Sequence, residues 1–278
     1  MNTQTETKKN QKNLPPKSEA AVAERPTAAV GAPQADTSGQ NILSSDILLP
    51  RILLMQGLSP LVSEKRKFAI GDIIRSISEE KIGDDKHPIK FIPLRFDNFW
   101  VVKEAKSPGK KQKFVRLEPR NAKNETLEWD FVENGKQMQR VKALNVLALL
   151  ESDIERAKEK TEDGLPDLNK TLLPVMISFQ STSYKAGQSV VTHFAAARKN
   201  NVAPYRYGLT LECYQDKNDQ GVFMVWKVGP SYPASQDAVK EATEWVHELK
   251  NRGTINVDMA EDGGAEKEAV TVNVSTQF

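Results

Sequence analysis

The sequence predicts an α+β domain that is mainly antiparallel β: an elaborated OB-fold-like barrel with one helix before its last hairpin and an amphipathic helix at its C-terminal end. Three observations carry this. Short runs rich in β-branched and aromatic residues recur between Gly, Pro, Asn and Asp clusters from residue 47 onward. Helical apolar spacing takes over only at 183–200 and 235–251. Strands, a helix and then a closing hairpin is the element order of a five-stranded OB barrel. Seven candidate strands make it an elaborated one.

Taken in order, residues 1–40 contain no aromatic and no Ile. They cannot bury enough apolar surface to offset ordering entropy, so a disordered N-terminal arm is expected. No apolar h-region follows the basic residues, and Glu6, Glu19, Glu24 and Asp36 interrupt the positive charge, against a secretory or mitochondrial leader. A single folded domain is expected over 41–252, opening with ILLPRILLMQGLSP from Ile47, where Pro50 favours an edge strand or docked turn. GDIIRSIS (71–78) reads as a strand. PIKFIPLRFDNFWVVKEA (88–105) reads as one long strand or a tight hairpin, with Pro93 at an edge or bulge. In 124–134, Leu127, Trp129 and Phe131 alternate onto one strand face before an Asn134–Gly135 turn.

The run VKALNVLALL (141–150) fits helix or buried strand, and strand is the better reading before an acidic loop reaching Lys170. LLPVMISF (172–179) is a strand. Residues 183–200 form a helix with Val190, Val191, Phe194 and Ala197 as its apolar stripe. Tyr205–Tyr214 and Val222–Val228 then make a hairpin around DKNDQG. The last helix, 235–251, lines up Ala238, Ala242, Trp245 and Leu249 and stops at Gly253. Residues 253–278 read as a flexible acidic tail ending in Phe278.

Net charge is +2 but uneven: roughly +1 over 1–40, +4 over 41–250 and −3 over 251–278. Lys103–Lys123 alone holds eight cations against two acids. Aromatics accompany this run and recur beside cations in 174–228. The candidate nucleic-acid contacts are Trp100, Lys103, Lys110, Lys111, Lys113, Phe114, Arg116, Tyr184, Lys185, Arg198, Lys199, Tyr205, Arg206, Tyr207 and Trp226. Such a mixture suits a single strand, because bases stack on rings while cations follow the phosphates. Tyr205 and Tyr207 would share one strand face with Arg206 on the other, and Pro204 favours Tyr205 as the ring that reaches solvent. Trp100, Trp129, Phe179, Phe194 and Trp245 fall on faces that a β-rich core would fill, so for Trp100 a core reading stands beside the contact reading.

No catalytic signature competes with this reading. GxxxxGK[ST], GxGxxG, HExxH and GxSxG are absent, and His87, His193 and His247 lie apart without partners at metal-ligand spacing. A binder without catalytic residues, cofactor or metal is expected. The lone Cys213 excludes an internal disulfide framework and fits a reducing cytoplasm, and no apolar run approaches membrane-spanning length.

LPRILLMQGLSPLV (49–62), GDIIRSISEEKIG (71–83), IKFIPLRFDNFWVV (89–102), PVMISFQSTSYKAGQSV (174–190) and APYRYGLTLECYQDKNDQGVFMVWKVGP (203–230) together resemble a group of phage-encoded proteins associated with replication and single-stranded-DNA binding. The resemblance spans about 47–250. It implies non-sequence-specific binding of single-stranded DNA during phage replication or recombination, in the cytoplasm of the infected host. In phage proteins of this kind an acidic tail closing on an aromatic docks replication or recombination partners, which would give Phe278 that role. Here Lys267 interrupts the acids and residues 270–278 are uncharged, so a plain terminus is an equal reading. A homo-oligomer is compatible with all of this. The alternative function is a phage protein-interaction factor, for host takeover or anti-defence, without nucleic-acid binding.

Overall fold

A computed structural model describes residues 48–105, 113–121, 123–159, 172–218 and 221–250, and the backbone of 251–252, 254–258 and 269–273. All of these belong to the unit Ile42–Phe278. The strands are β1 (Leu48–Leu49), β2 (Arg51–Leu54), β3 (Ile73–Arg75), β4 (Glu80–Gly83), β5 (Ile89–Glu104), β6 (Phe114–Pro119), β7 (Asp130–Glu133), β8 (Lys136–Leu150), β9 (Val175–Gln180), β10 (Tyr207–Asn218), β11 (Gly221–Pro233), β12 (Thr254–Asp258) and β13 (Ala269–Asn273). The helices are α1 (Pro60–Ser63), α2 (Glu151–Ala157), α3 (Tyr184–Lys199) and α4 (Gln236–Arg252).

The protein is mainly β, with a large, mostly antiparallel open sheet and few helices. Its ten-stranded sheet runs β11-β10-β5-β8-β9-β2-β3-β4, with β6 added to β5 and β7 to β8. Two long strands organise it. β5 and β8 stay paired from Phe91–Leu150 to Glu104–Met138, with one irregularity between Pro93 and Arg95. Proline lacks the ladder donor, so the register slips there and the strand continues as one. Only β2 and β9 pair in parallel within this sheet. A smaller sheet, β1-β12-β13, includes two strands within 253–278, the stretch expected to be a tail.

Both faces of the central strands are covered. On one, α3 lays Ala186, Gly187 and Val190 over Leu144, Val146, Ile177 and Phe179. On the other, α4 sets Ala238, Ala242 and Leu249 among Ile92, Leu94, Leu147, Leu149 and Met176, with Ile154 of α2. The small residues on the sheet-facing sides of both helices allow close approach.

The expected barrel does not form, because the sheet is not closed. β5 and β8, 16 and 15 residues long, outrun a small barrel and acquire β6 and β7 at their far ends. The hairpin β10–β11 meets the β2–β3 side through a side chain in place of a ladder. The Gln56 amide donates to Met224 C=O and accepts from Met224 N–H, both at 2.9 Å. Nearby, Ser183 Oγ accepts from Trp226 N–H at 3.2 Å and Cys213 Sγ donates to Gly71 C=O at 3.4 Å. Polar side chains thus cover part of the β11 edge, which would otherwise present unpaired groups.

Three local expectations are corrected. Leu127 and Trp129 lie outside a strand and are exposed, since β7 begins only at Asp130. Pro204–Arg206 is a 3₁₀ turn, so the first strand of the hairpin starts at Tyr207. The 71–78 strand shortens to Ile73–Arg75. The N-terminal arm over 1–40 lies outside the described residues.

Candidate nucleic-acid interface

Register partners share a sheet face, so the pairs Trp100–Lys142, Trp100–Glu118, Val102–Arg140 and Val102–Arg116 place these side chains together, on the face α3 covers further along. The charges there satisfy one another. Arg116 bonds Glu118 at 2.7 Å and Glu133 at 2.6 Å, and Arg140 bonds Glu118 at 2.9 Å. Burial alone would raise the Glu118 carboxyl, but Arg140 and Arg116 more than reverse it and hold it below the usual carboxylate range. The Arg140 guanidinium also lies 3.8 Å from the Phe131 ring centroid. Arg116, an expected phosphate contact, is therefore committed to two carboxylates.

Next to this network is an aromatic corner. Arg120, its side chain only 10% exposed, lies 5.7 Å from the Trp100 centroid and 5.2 Å from that of Tyr184. It donates to Tyr184 Oη at 2.6 Å and Asn98 Oδ1 at 3.1 Å. Trp100 is fully buried and donates its indole N–H to Asn124 C=O at 3.2 Å. Trp129 packs edge-on against it at 5.9 Å and is 54% exposed. Lys142 Nζ lies 5.7 Å from both indole centroids. Glu125, on the loop after β6, reaches Lys142 at 3.0 Å and Arg120 at 3.3 Å. The Lys142 hydrogen bond holds its carboxyl below the usual range.

The outer face of α3 has a different character. Its sequence, YKAGQSVVTHFAAARK, contains no acid. Lys185, Gln188, Ser189, Thr192, Ala195, Ala196, Arg198 and Lys199 are exposed along it. Among the described residues no carboxylate pairs with Lys185, Arg198, Lys199 or Arg206. At the far end His193 Nε2 lies 3.0 Å from Pro204 C=O, its ring edge-on to Tyr207 at 6.3 Å, which ties the 3₁₀ turn to the helix.

The sequence-expected contacts therefore divide. Lys185, Arg198 and Lys199 are exposed at the two ends of α3, and Arg206 and Tyr207 are exposed at the turn and strand start beside it. Tyr205, expected to reach solvent, instead packs against the cluster under α4, because the proline initiates a turn that points it inward; Tyr207 is 38% exposed. Trp100 and Trp226 are buried, closed over by Arg120 and by the first core cluster respectively. Tyr184 is half-buried against Arg120, and Phe114 packs at the edge of the second cluster. Lys103 is half-buried on β5 and Lys113 exposed before β6. Lys110, Lys111 and Phe278 lie outside the described residues. Sequence reasoning missed Trp129, whose alternation with Leu127 imitates a core face; the flanking Asn124, Glu125, Glu128 and Asp130 were the available sign of a solvent loop.

Among the described residues no group of His, Cys, Asp and Glu is arranged to hold a metal, and no helix is long and apolar enough to cross a membrane. Burial pushes the Cys213 thiol up to about 11, so it stays protonated at neutral pH.

Compared with known proteins, the chain matches no curated protein and no solved structure. The sequence model of one family, described as Pam3 phage gp34-like protein, matches residues 17–256. That match takes in the whole ten-stranded sheet, α3 and α4, and the chain belongs to the Pam3 phage gp34-like family.

Proposed function

We propose that this phage protein binds single-stranded DNA without sequence specificity, in replication or recombination, along the outer face of α3. The observation that carries the reading is the acid-free exposed face from Lys185 to Lys199, continued by Arg206 and Tyr207. Fourteen residues of helix separate its terminal lysines by about 21 Å, enough to follow several phosphates. Among the described residues its cations have no carboxylate partner, so neutralising phosphate would release counterions without first breaking an ion pair there. The small side chains between them leave a flat track, and Tyr207 offers a ring to a base at one end.

A protein-interaction factor is the competing reading, favoured by the self-neutralised charges of β6, β7 and β8. Fluorescence anisotropy with a labelled dT oligomer separates the two. The wild-type chain should bind with an affinity that falls steeply between about 50 and 200 mM salt. Replacing Lys185, Arg198 and Lys199 together by Ala should flatten the log–log slope by about 2, at roughly 0.7 per lost single-strand contact. Absence of binding at low salt, or an unchanged slope in the triple variant, would overturn the proposal.

A further inference from the structure

Two cations and one carboxylate meet at the aromatic corner. Arg116 and Arg140 are matched by Glu118 and Glu133. Among the described residues Arg120 and Lys142 share Glu125 alone, and the other bonds of Arg120 go to the neutral oxygens of Asn98 and Tyr184. Arg120 is nine-tenths buried, and its Nη1 has no hydrogen-bond partner among the described residues. A buried guanidinium N–H without an acceptor is costly, so the hydrogen bonding of Arg120 is incomplete at this corner. Glu125, by contrast, is 47% exposed and reaches in from a surface loop. Over the same corner stands Trp129, with more than half its surface in water though Trp is among the most buried residue types on average.

We propose that this corner is a binding station for one nucleotide unit of a single strand, and that Glu125 occupies the place of its phosphodiester. The inference rests on the single-stranded-DNA reading and adds a site that the α3 track does not contain. A phosphodiester carries one negative charge and two non-bridging oxygens, so it can span an ammonium and a guanidinium as the carboxylate does. The exchange leaves the charge of the corner unchanged: the Glu125 carboxylate swings to solvent and the phosphodiester takes over Lys142 and Arg120. The attached base stacks on the free face of Trp129, held edge-on by Trp100 beneath it. Tyr184, bonded to Arg120, opens α3, so a strand leaving the station passes directly to Lys185.

Glu125 therefore acts as a built-in competitor, and its removal should tighten binding. Anisotropy titrations would compare wild type, E125Q and W129A with a dT oligomer and with an abasic oligomer of equal length, alongside thermal melts. E125Q should bind both oligomers about three- to fivefold more tightly, the range expected for releasing a partly exposed ion pair. W129A should lose about fivefold or more for dT and nothing for the abasic strand, since stacking needs a base. Trp129 is more than half exposed, so W129A should melt near wild type; E125Q removes the carboxylate beside the largely buried Arg120, so it should melt somewhat lower and its affinity is read well below that Tm. If wild type binds dT and E125Q does not bind it more tightly, the station is refuted while the α3 reading stands. Equal losses for both oligomers in W129A would refute the stacking role. If E125Q binds and wild type does not, the α3 reading as stated falls and the competitor role of Glu125 stands. If neither wild type nor E125Q binds, both proposals fall.

Discussion

Gly187 decides how closely α3 can approach the sheet, and replacing it by Ala tests that packing. A Cβ there would stand 2.8 Å from Phe179 Cβ, 2.9 Å from Leu144 Cδ2 and 3.0 Å from Phe179 Cγ. The Leu144 methyl can rotate aside. Phe179 Cβ cannot, being one bond from the backbone of β9 in a fully buried side chain. Carbon atoms settle at about 3.5–4.0 Å, so the helix must lift by roughly 0.7–1.2 Å. Overpacking of this kind costs about 1–3 kcal/mol. Removing a glycine from a helix returns about 1 kcal/mol. The clash involves a backbone-anchored atom, which puts the cost in the upper part of its range and leaves a net loss of about 1–2 kcal/mol. For a domain of about 200 residues that lowers Tm by roughly 2–8 °C. Differential scanning calorimetry would measure it. A Tm at or above wild type would mean that helix propensity outweighs the clash, and that α3 is not seated as rigidly as these distances require.

Two further outcomes follow from the fold. Q56A should leave both backbone groups of Met224 without their partner, lowering stability by about 1–3 kcal/mol and speeding amide exchange at Met224 and Trp226; unchanged protection there would mean that Gln56 does not hold the seam. Acidification should destabilise the protein. Lys81 holds the Asp84 carboxyl far below its usual range, Lys142 lowers that of Glu125, and Lys158 that of Asp237. Folded-state values below the unfolded ones stabilise fully above the unfolded pKa and lose that stabilisation as pH falls through the folded values. Tm should therefore hold between about pH 7 and 5 and decline below about pH 4; a rise below pH 4 would contradict the pairing.

Much of the fold was legible along the chain. The stripe of Val190, Val191, Phe194 and Ala197 marked α3, and Ala238, Ala242 and Leu249 marked α4, because each helix buries one side and its period records that. The run at 141–150 became the second half of β8. Pro93 marked an irregularity within an unbroken strand. Alternation failed at Leu127 and Trp129, where a loop happened to carry strand-like spacing. It failed again at Tyr205, where the turn begun by Pro204 turned the ring inward and left Tyr207 half in solvent.

The sequence by itself determined which segments carry an apolar face, where the chain turns, and that α3 lacks acids, since these depend on neighbours within a few residues. Only the tertiary structure decided which of the described cations are paired with carboxylates. Arg116, Arg140, Glu118 and Glu133 looked like separate charges until β5, β6, β7 and β8 came into register and neutralised them. Lys142 and Glu125, 17 residues apart, became a pair the same way, as did Trp100 and Trp129. Electrostatic pairing and ring exposure are set by distance in space, and a two-residue period says nothing about which strand will lie alongside.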